Sequence, residues 1–203
     1  MGKKFVSRMS FCFLLLLAPQ LFGQIQIGGE RPAATAPILE ASGGYVFTSM
    51  TSQSSPRLNF NGINGNGLLH FTPRWGATLD LTFSHSGNVP GTTHNDNTFS
   101  ALIGPVFYLM DHQKTGVFVH ALVGTAWVDS AVPLNSTTEF KGYETRFSYA
   151  FGGGVERDLG NGPFAVRVTG DYQRTTFVDP TLALEGQNNL RVTTSLVYRF
   201  GSR

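Results

Sequence analysis

Serine and histidine stand side by side at positions 84 and 85, a combination that could form a nucleophilic site. A nucleophilic serine needs a histidine base within hydrogen-bond reach, and the base needs a carboxylate that orients it. On an extended strand, however, neighbouring side chains point to opposite faces, which would keep Ser84 and His85 apart. No glutamate has an obvious place beside them. The sequence therefore predicts no catalytic residues, and a serine esterase is kept as an alternative.

Five histidines could in principle bind a metal ion, because imidazole is a common ligand. None lies two or four positions from another, the spacing that would bring two rings together on a strand or a helix. Two of them flank a predicted loop, where a weak surface site is the alternative. We predict no metal and no cofactor. The histidines are His70, His85, His94, His112 and His120.

Any such side chain has to be positioned by strands, and the clearest strand is the last, at residues 189–200. Apolar and aromatic residues alternate from Leu190 to Phe200, while Arg191 and Arg199 fall on the other face. A period of two is typical of a strand with one apolar and one polar side. Because a free strand edge promotes aggregation, this pattern favours a sheet that closes on itself.

Eight segments of this kind are predicted, an even number, and most are long enough to cross a membrane at a tilt. The second is the weakest prediction because its three Asn-Gly dipeptides also favour turns. Pro105 lacks a backbone donor and predicts a bulge in the fourth. Tight turns alternate with long polar loops at 51–56, 85–97, 129–142 and 176–188. The segments are 39–50, 57–71, 75–84, 98–110, 116–128, 143–157, 164–174 and 189–200.

Aromatic residues gather at both ends of these segments, as expected of an outer-membrane barrel with a girdle at each interface. A soluble sandwich or lipocalin, whose apolar face would point inward, is the alternative. The predicted girdle at the turns contains Phe71, Trp75, Phe107, Phe164 and Phe200, and the girdle at the loops contains Phe83, Phe99, Trp127, Tyr143 and Tyr172.

Residues 1–23 have the pattern of a secretory signal peptide, with a basic start and a short apolar core. A lipoprotein signal on Cys12, the only cysteine, is the alternative. Removal of three positive charges with this segment changes the formal net charge from +2 to −1, so no basic surface indicates nucleic acid. Residues 24–38 are predicted to be a flexible periplasmic lead-in, and residues 39–203 the barrel.

The signal peptide, the eight alternating strands and the closing pattern Leu196-x-Tyr198-x-Phe200 resemble the small outer-membrane barrels typified by the transmembrane domain of outer membrane protein A. The resemblance implies an all-β, eight-stranded, antiparallel up-and-down transmembrane β-barrel in the outer membrane of a Gram-negative cell envelope. It also implies that Phe200 takes part in recognition by the barrel assembly machinery. Some eight-stranded barrels are lipid A esterases, which gives the serine alternative a substrate.

The partners expected of such a barrel are outer-membrane lipid, lipopolysaccharide and, through the loops, an extracellular ligand; we expect a monomer. The predicted inward faces carry five acids and four arginines, and charges enclosed in so narrow a barrel have to pair. We interpret them as a plug, so the predicted function is structural or surface-binding. A narrow, porin-like ion or solute path is the alternative. The charges are Glu40, Asp80, Glu144, Glu156, Asp171, Arg146, Arg167, Arg191 and Arg199.

Overall fold

A computed structural model describes residues 39–50, 58–87, 95–112, 114–135, 138–176 and 187–200. The predicted signal peptide and lead-in lie outside these ranges, as do the predicted loop at 51–56 and most of those at 85–97 and 176–188. Within the described ranges, no helix has the length and hydropathy needed to cross a membrane.

Eight antiparallel strands pair in sequence order, and the last pairs with the first to close a barrel. The predicted fold is confirmed. The residue pairs can be followed around the barrel from Met50 of β1 through β8 and then each preceding strand. They return to β1 at Glu40, so the closed sheet is staggered by ten residues. Eight strands leave an interior just wide enough for side chains to fill. The strands are β1 Leu39–Met50, β2 Leu58–His70, β3 Trp75–Ser86, β4 Asp96–His112, β5 Thr115–Asn135, β6 Thr138–Asp158, β7 Phe164–Thr175 and β8 Gln187–Phe200.

Most of the large apolar side chains point away from the lumen, although a few, such as Leu68, Val106 and Phe118, are buried inside it. In β3, burial alternates strictly from Asp80 onwards, with Leu81 and Phe83 exposed and Thr82 and Ser84 buried. A water-soluble barrel would bury the apolar set, so this inside-out arrangement is the one that a lipid solvent selects. The predicted faces of β3 and β8 are confirmed residue by residue.

The weakest predicted strand forms in full, because its Asn-Gly dipeptides serve the sheet rather than turns. Asn64 points into the lumen, where its Nδ2 donates to Asp80 Oδ2 over 2.9 Å and to Thr82 Oγ1 over 2.8 Å. Gly62 lies so close to β3 that a Cβ atom there would stand 1.9 Å from the Phe83 carbonyl oxygen. Cross-strand hydrogen bonds and close backbone approach therefore outweigh the local preference for a turn.

The predicted bulge at Pro105 is wrong. Residues on either side of it keep one register with β5, from Ile103 opposite Val123 to Val106 opposite His120. Pro105 is exposed, and the strand passes it without an extra residue. The register shifts instead between Tyr108 and Met110, beside the turn to β5. Bulges are common at barrel rims, where they end the pairing of a strand.

The predicted long loop at 129–142 is also wrong. β5 continues to Asn135 and β6 begins at Thr138, and they pair from Ser130 opposite Gly142 to Asn135 opposite Thr138, with a register shift between Pro133 and Asn135. This stretch lacks the apolar alternation that marks the lipid-facing strands. Outside the membrane no lipid selects for it, and the two strands pair through a ladder of backbone hydrogen bonds.

The two ends of the barrel differ. Leu39 and Phe200 pair at one end, which we call the turn end, and Gly160 allows the β6–β7 turn there with a φ of +75°. At the opposite end, the loop end, β1 stops and β8 begins. Both aromatic girdles form: Trp75 packs on Phe107 at 4.7 Å between ring centroids at the turn end, and Phe99 on Trp127 at 5.2 Å towards the loop end. The Tyr143 side chain lies outside the described residues.

Candidate functional site

A cluster of charged side chains crosses the lumen between the two ends, and we call it the middle cluster. It consists of Asp80 on β3, His120 on β5, Asp171 on β7 and Arg191 on β8. The Arg191 side chain is 1% exposed. Its Nη1 lies 2.7 Å from Asp80 Oδ1, and its Nη2 lies 2.7 Å from Asp171 Oδ2. One guanidinium thus ties β3 to the neighbouring strands β7 and β8, which lie far from it in the sequence.

A second group, the turn-end cluster, lies nearer to the turn end. Arg167 Nη2 is paired with both Glu40 and Glu156, and its Nε donates to Glu156 Oε2 over 2.7 Å. The Arg167 guanidinium also lies 5.3 Å from the centroid of the Phe118 ring. A planar cation with several donors suits this position because it can hold two carboxylates and an aromatic face at once.

Arg199 completes the turn-end cluster from the last strand. Its Nε lies 2.9 Å from Glu40 Oε1, and its other nitrogens pair with Glu156 and Asp158. His70 stands beside the same carboxylate, with Nε2 3.4 Å from Glu40 Oε1. The two arginines therefore share their carboxylates, so the cluster is a connected network rather than a row of separate pairs.

A small polar cavity separates the two clusters. About 20 Å³ of it is open to water, which is room for about one molecule. Ser42 Oγ and Asn66 Oδ1 line it and have no hydrogen-bond partner in the described part of the chain. The lumen is thus crossed by two charged layers with a space the size of one water molecule between them.

At the loop end, β5 and β6 extend beyond their other neighbours as a two-stranded ribbon, residues 130–135 and 138–147, which we call the loop-end ribbon. Among the described residues, β4 pairs with β5 no further than Asp129, and the first β6 residue opposite β7 is Ser148. Thr176 N–H then donates to the Phe147 carbonyl over 3.2 Å. The β6 edge beyond Phe147 is unpaired within the described ranges.

The comparisons with known proteins agree with this architecture. The family described as "Outer membrane protein beta-barrel domain" matches residues 27–200, most of the chain. The protein belongs to the outer membrane protein beta-barrel family. It is therefore a protein of the outer membrane of Gram-negative bacteria, with its strands spanning the bilayer. No sequence among the curated proteins matches it.

Solved structures resemble this outer-membrane barrel in fold. Ail of Yersinia pestis in complex with the heparin analogue sucrose octasulfate has a TM-score of 0.57 and 18% identity, covering 81% of this chain and 99% of its own. Neisserial surface protein A has a TM-score of 0.58 at 8% identity, covering 80% and 97%. OprG of Pseudomonas aeruginosa has 0.51 at 10%, covering 85% and 100%. At such low identities the likeness concerns the fold alone.

Within this outer-membrane barrel, the nine predicted inward charges do not form one plug. Seven join the two clusters. The remaining two, Glu144 and Arg146, pair with each other over 2.6 Å near the loop end, with side chains 30% and 43% exposed. Asp158, which follows the predicted sixth segment at 143–157, still belongs to β6, where it is buried and pairs with Arg199. Asp158 lies two residues after the inward Glu156, so the alternation along the strand could have predicted that its side chain points into the lumen.

Two histidines that the sequence offered only as metal candidates lie beside carboxylates in the lumen. His120 Nε2 is 2.6 Å from Asp171 Oδ1, and His70 lies beside Glu40 as described above. No group of three metal-binding side chains is found in the ranges that the structure describes. The alternation of inward and outward positions along each strand could have predicted this, since both histidines occupy inward positions.

Ser84 and His85 do not form a catalytic pair, because β3 places them on opposite faces. Ser84 and Ser86 are buried in the lumen, whereas His85 is exposed on the outer wall, where its Nδ1 lies 2.8 Å from Asn97 Oδ1. The prediction that neighbouring side chains would point to opposite faces is confirmed. A serine here has no histidine base on its own side of β3.

Proposed function

We propose that this protein is a non-catalytic surface-binding barrel, in which the lumen is closed and the loop-end ribbon binds an extended peptide through the free edge of β6. The observation that carries the proposal is the stretch of β6 before Phe147, which has no strand partner on its β7 side among the described residues. A free strand edge offers a row of donors and acceptors, and peptides bind to such edges by adding a strand. The partner class is therefore an extended segment of a protein outside the cell.

The proposal requires that the loop-end ribbon lies outside the cell. Leu39 and Phe200 pair at the turn end. We propose that this end faces the periplasm, since long loops of outer-membrane barrels face outward and short turns inward. Residues 1–23 would then direct export and be removed, residues 24–38 would remain as the periplasmic lead-in, and the barrel assembly machinery would insert the chain as a monomer.

The charged clusters in the lumen favour a surface role over transport. Both charged clusters cross the interior, and the cavity between them has room for about one water molecule. Buried guanidinium groups that are paired on two sides are costly to move. We therefore propose that neither ions nor solutes pass, and that binding takes place on the loop-end ribbon.

The two edges of the loop-end ribbon are not equal. Pro133 lies on the β5 edge and cannot donate a backbone hydrogen bond, a device that blunts exposed strands. The β6 stretch has no proline between Thr138 and Phe147. The Phe147 carbonyl points towards β7. In a regular strand, every second residue directs its N–H and C=O groups to the same side. Positions 139, 141, 143 and 145 would thus present the free donors and acceptors.

Lys141→Pro is expected to abolish peptide binding while the barrel still folds. It removes a donor from the free edge, whereas position 141 takes no part in the hydrogen bonds to β5 if the alternation holds. The probe is a displayed library of ten-residue peptides, and each selected peptide is measured against the folded protein in detergent micelles. Lys141→Ala is the matched control, since it removes the same side chain and keeps the N–H.

Two outcomes separate backbone recognition from side-chain recognition. If the proposal holds, Lys141→Ala retains binding, Lys141→Pro loses at least tenfold in affinity, and alternate N-methylation of a selected peptide has the same effect as the proline. If the proline variant binds as tightly as the wild type, the free edge is not the site.

The heparin analogue bound to Ail raises a polyanion as another ligand class. The charge of the loop-end ribbon does not favour a polyanion here. From Asp129 to Phe147 the sequence contains three acids against one lysine and one arginine, a net charge of −1. A sulfated polymer would be repelled rather than concentrated by such a segment, so an extended peptide remains the proposed ligand.

Arg174 is proposed to contact lipopolysaccharide. Its side chain is exposed on the outer face of β7, opposite Tyr149 and Asn188, and it has no acidic partner among the described residues. Guanidinium matches phosphate with paired hydrogen bonds, and this level of the barrel lies near the outer rim. We expect Arg174→Ala and Arg174→Leu to slow folding into bilayers containing lipopolysaccharide and to change little in neutral phospholipid. Equal folding rates of all three proteins in both bilayers would remove the idea.

A further inference from the structure

The sequence contains four Asn-Gly dipeptides, and the structure places them in two different settings. An asparagine before a glycine can react with its own backbone, because glycine has no side chain to shield the amide nitrogen that attacks. The setting of each dipeptide decides whether that nitrogen and the asparagine side chain can meet. Three of the dipeptides lie within β2, at 61–62, 64–65 and 66–67, and the fourth, Asn161-Gly162, lies in the turn between β6 and β7.

In β2, strand pairing blocks this reaction at all three dipeptides. Every residue of the three is paired with β1 on one side and with β3 on the other. A strand between two partners uses its backbone N–H groups in the two ladders, and its extended backbone fixes the directions of its side chains. Two of the asparagine side chains are held as well. Asn64 Nδ2 donates to Asp80 Oδ2 over 2.9 Å, and Asn66 Nδ2 donates to Thr78 Oγ1 over 2.6 Å.

The turn between β6 and β7 places the fourth dipeptide under no such restraint. Asn161 is exposed, and the backbone N–H of Gly162 makes no hydrogen bond with any described residue. The turn is held at its ends instead, where Leu159 N–H donates to the Phe164 carbonyl over 2.9 Å. No atom lies within 4 Å of the position that a Cβ atom of Gly162 would take. The Gly162 nitrogen and the Asn161 side chain therefore have room to approach each other.

We propose that Asn161 is a site of spontaneous modification to aspartate and isoaspartate in the folded barrel, and that folding protects the three asparagines of β2. The backbone nitrogen of Gly162 attacks Cγ of Asn161 and forms a bond to it. The bond from Cγ to Nδ2 breaks, and Nδ2 leaves as ammonia with the proton that the Gly162 nitrogen gives up. Water then opens the cyclic imide at either carbonyl, which leaves one new carboxyl group and no change in oxidation state. This inference goes beyond the proposed peptide binding and does not depend on it.

The two settings also differ in what the product does to the barrel. At position 161 the new carboxyl group is exposed in a turn. At position 64 it replaces the Nδ2 group that donates to Asp80 Oδ2 and to Thr82 Oγ1, so that one acceptor faces another. We expect Asn161→Asp to leave the urea midpoint unchanged and Asn64→Asp to shift it to lower concentration. If Asn64→Asp is as stable as the wild type, these contacts do not hold the Asn64 amide, and the protection of that site is contradicted.

Gly162→Ala is the matched control for the reaction itself. The added Cβ has no atom within 4 Å, so the variant should fold as the wild type does, but its methyl group shields the attacking nitrogen. We expect Asn161 to lose its amide more slowly in this variant, in the folded barrel and in the unfolded chain alike. If the variant reacts as fast as the wild type, the backbone nitrogen is not the nucleophile and the proposal fails.

The direct test is peptide mapping by mass spectrometry after the folded wild-type protein has been incubated in detergent micelles in a mildly alkaline buffer. Gel mobility without boiling shows that it stays folded, and a urea-unfolded sample is the reference. We expect loss of the amide at Asn161 while the three β2 asparagines keep theirs, and loss at all four sites in the unfolded chain. Two results would overturn the proposal: conversion in folded β2 as fast as at Asn161, or an Asn161 amide that survives in the folded barrel but not in the unfolded chain.

Discussion

Arg191→Leu is expected to lower the free energy of unfolding by about 3–5 kcal/mol, or to prevent refolding altogether. The substitution fills much of the same space, so the loss comes mainly from charge. Asp80 and Asp171 would remain buried, and no other guanidinium in the described lumen pairs with either of them. Urea titration of the refolded protein in lipid vesicles, followed by gel mobility without boiling, measures the change.

Arg146→Ala is the matched control for this experiment. It also breaks an arginine–carboxylate pair, but Arg146 and Glu144 are 43% and 30% exposed. Exposed pairs contribute roughly 0.2–1 kcal/mol because water and salt replace them. In contrast, Arg191→Leu combined with Asp80→Asn and Asp171→Asn removes the stranded charges and should recover part of the loss. Equal effects of Arg191→Leu and Arg146→Ala would contradict a buried middle cluster held by Arg191.

Arg167→Ala is expected to destabilise the barrel by about 3 kcal/mol, which is less than the Arg191 effect. Removing this guanidinium takes one partner from Glu40 and from Glu156, but Arg199 still contacts both. The contact with the Phe118 ring is lost as well. Chevron kinetics in vesicles would show whether the loss appears as faster unfolding.

Arg167→Lys tests whether geometry or charge matters at this position. An ammonium is a point charge and cannot hold two carboxylates and an aromatic face in one plane. We expect an intermediate loss, larger than zero and smaller than that of Arg167→Ala. If lysine is as good as arginine, the position needs only a positive charge and the observed planar contacts are incidental.

The sequence was sufficient for the strands within the membrane, because lipid and lumen impose opposite demands on alternate residues. β1 was predicted with its observed bounds, and the faces of β8 were predicted correctly from Leu190 to Phe200. Even β2 kept its parity despite the Asn-Gly dipeptides, since alternation across the wall outweighs local turn preference.

Prediction from the sequence failed outside the membrane, where lipid no longer selects apolar residues at alternate positions. Residues 129–142 lie beyond the lipid, so nothing selects an apolar face, and the ribbon depends on a backbone ladder that side-chain patterns do not reveal. The pairing inside the lumen was equally hidden. Arg191 meets Asp80 across 111 positions of sequence, and parity shows only that both point inward, not that they touch. His120 was judged by its spacing to other histidines, although its partner is an aspartate.

Planar-bilayer recording of the purified, refolded protein tests the central claim most directly, because a surface-binding barrel with two charged layers across its lumen should not conduct. The account predicts no large and stable conductance from the wild-type protein, over a range of voltages and salt concentrations. Long-lived open-channel steps like those of a general porin would contradict it, since the middle and turn-end clusters would then not close the interior.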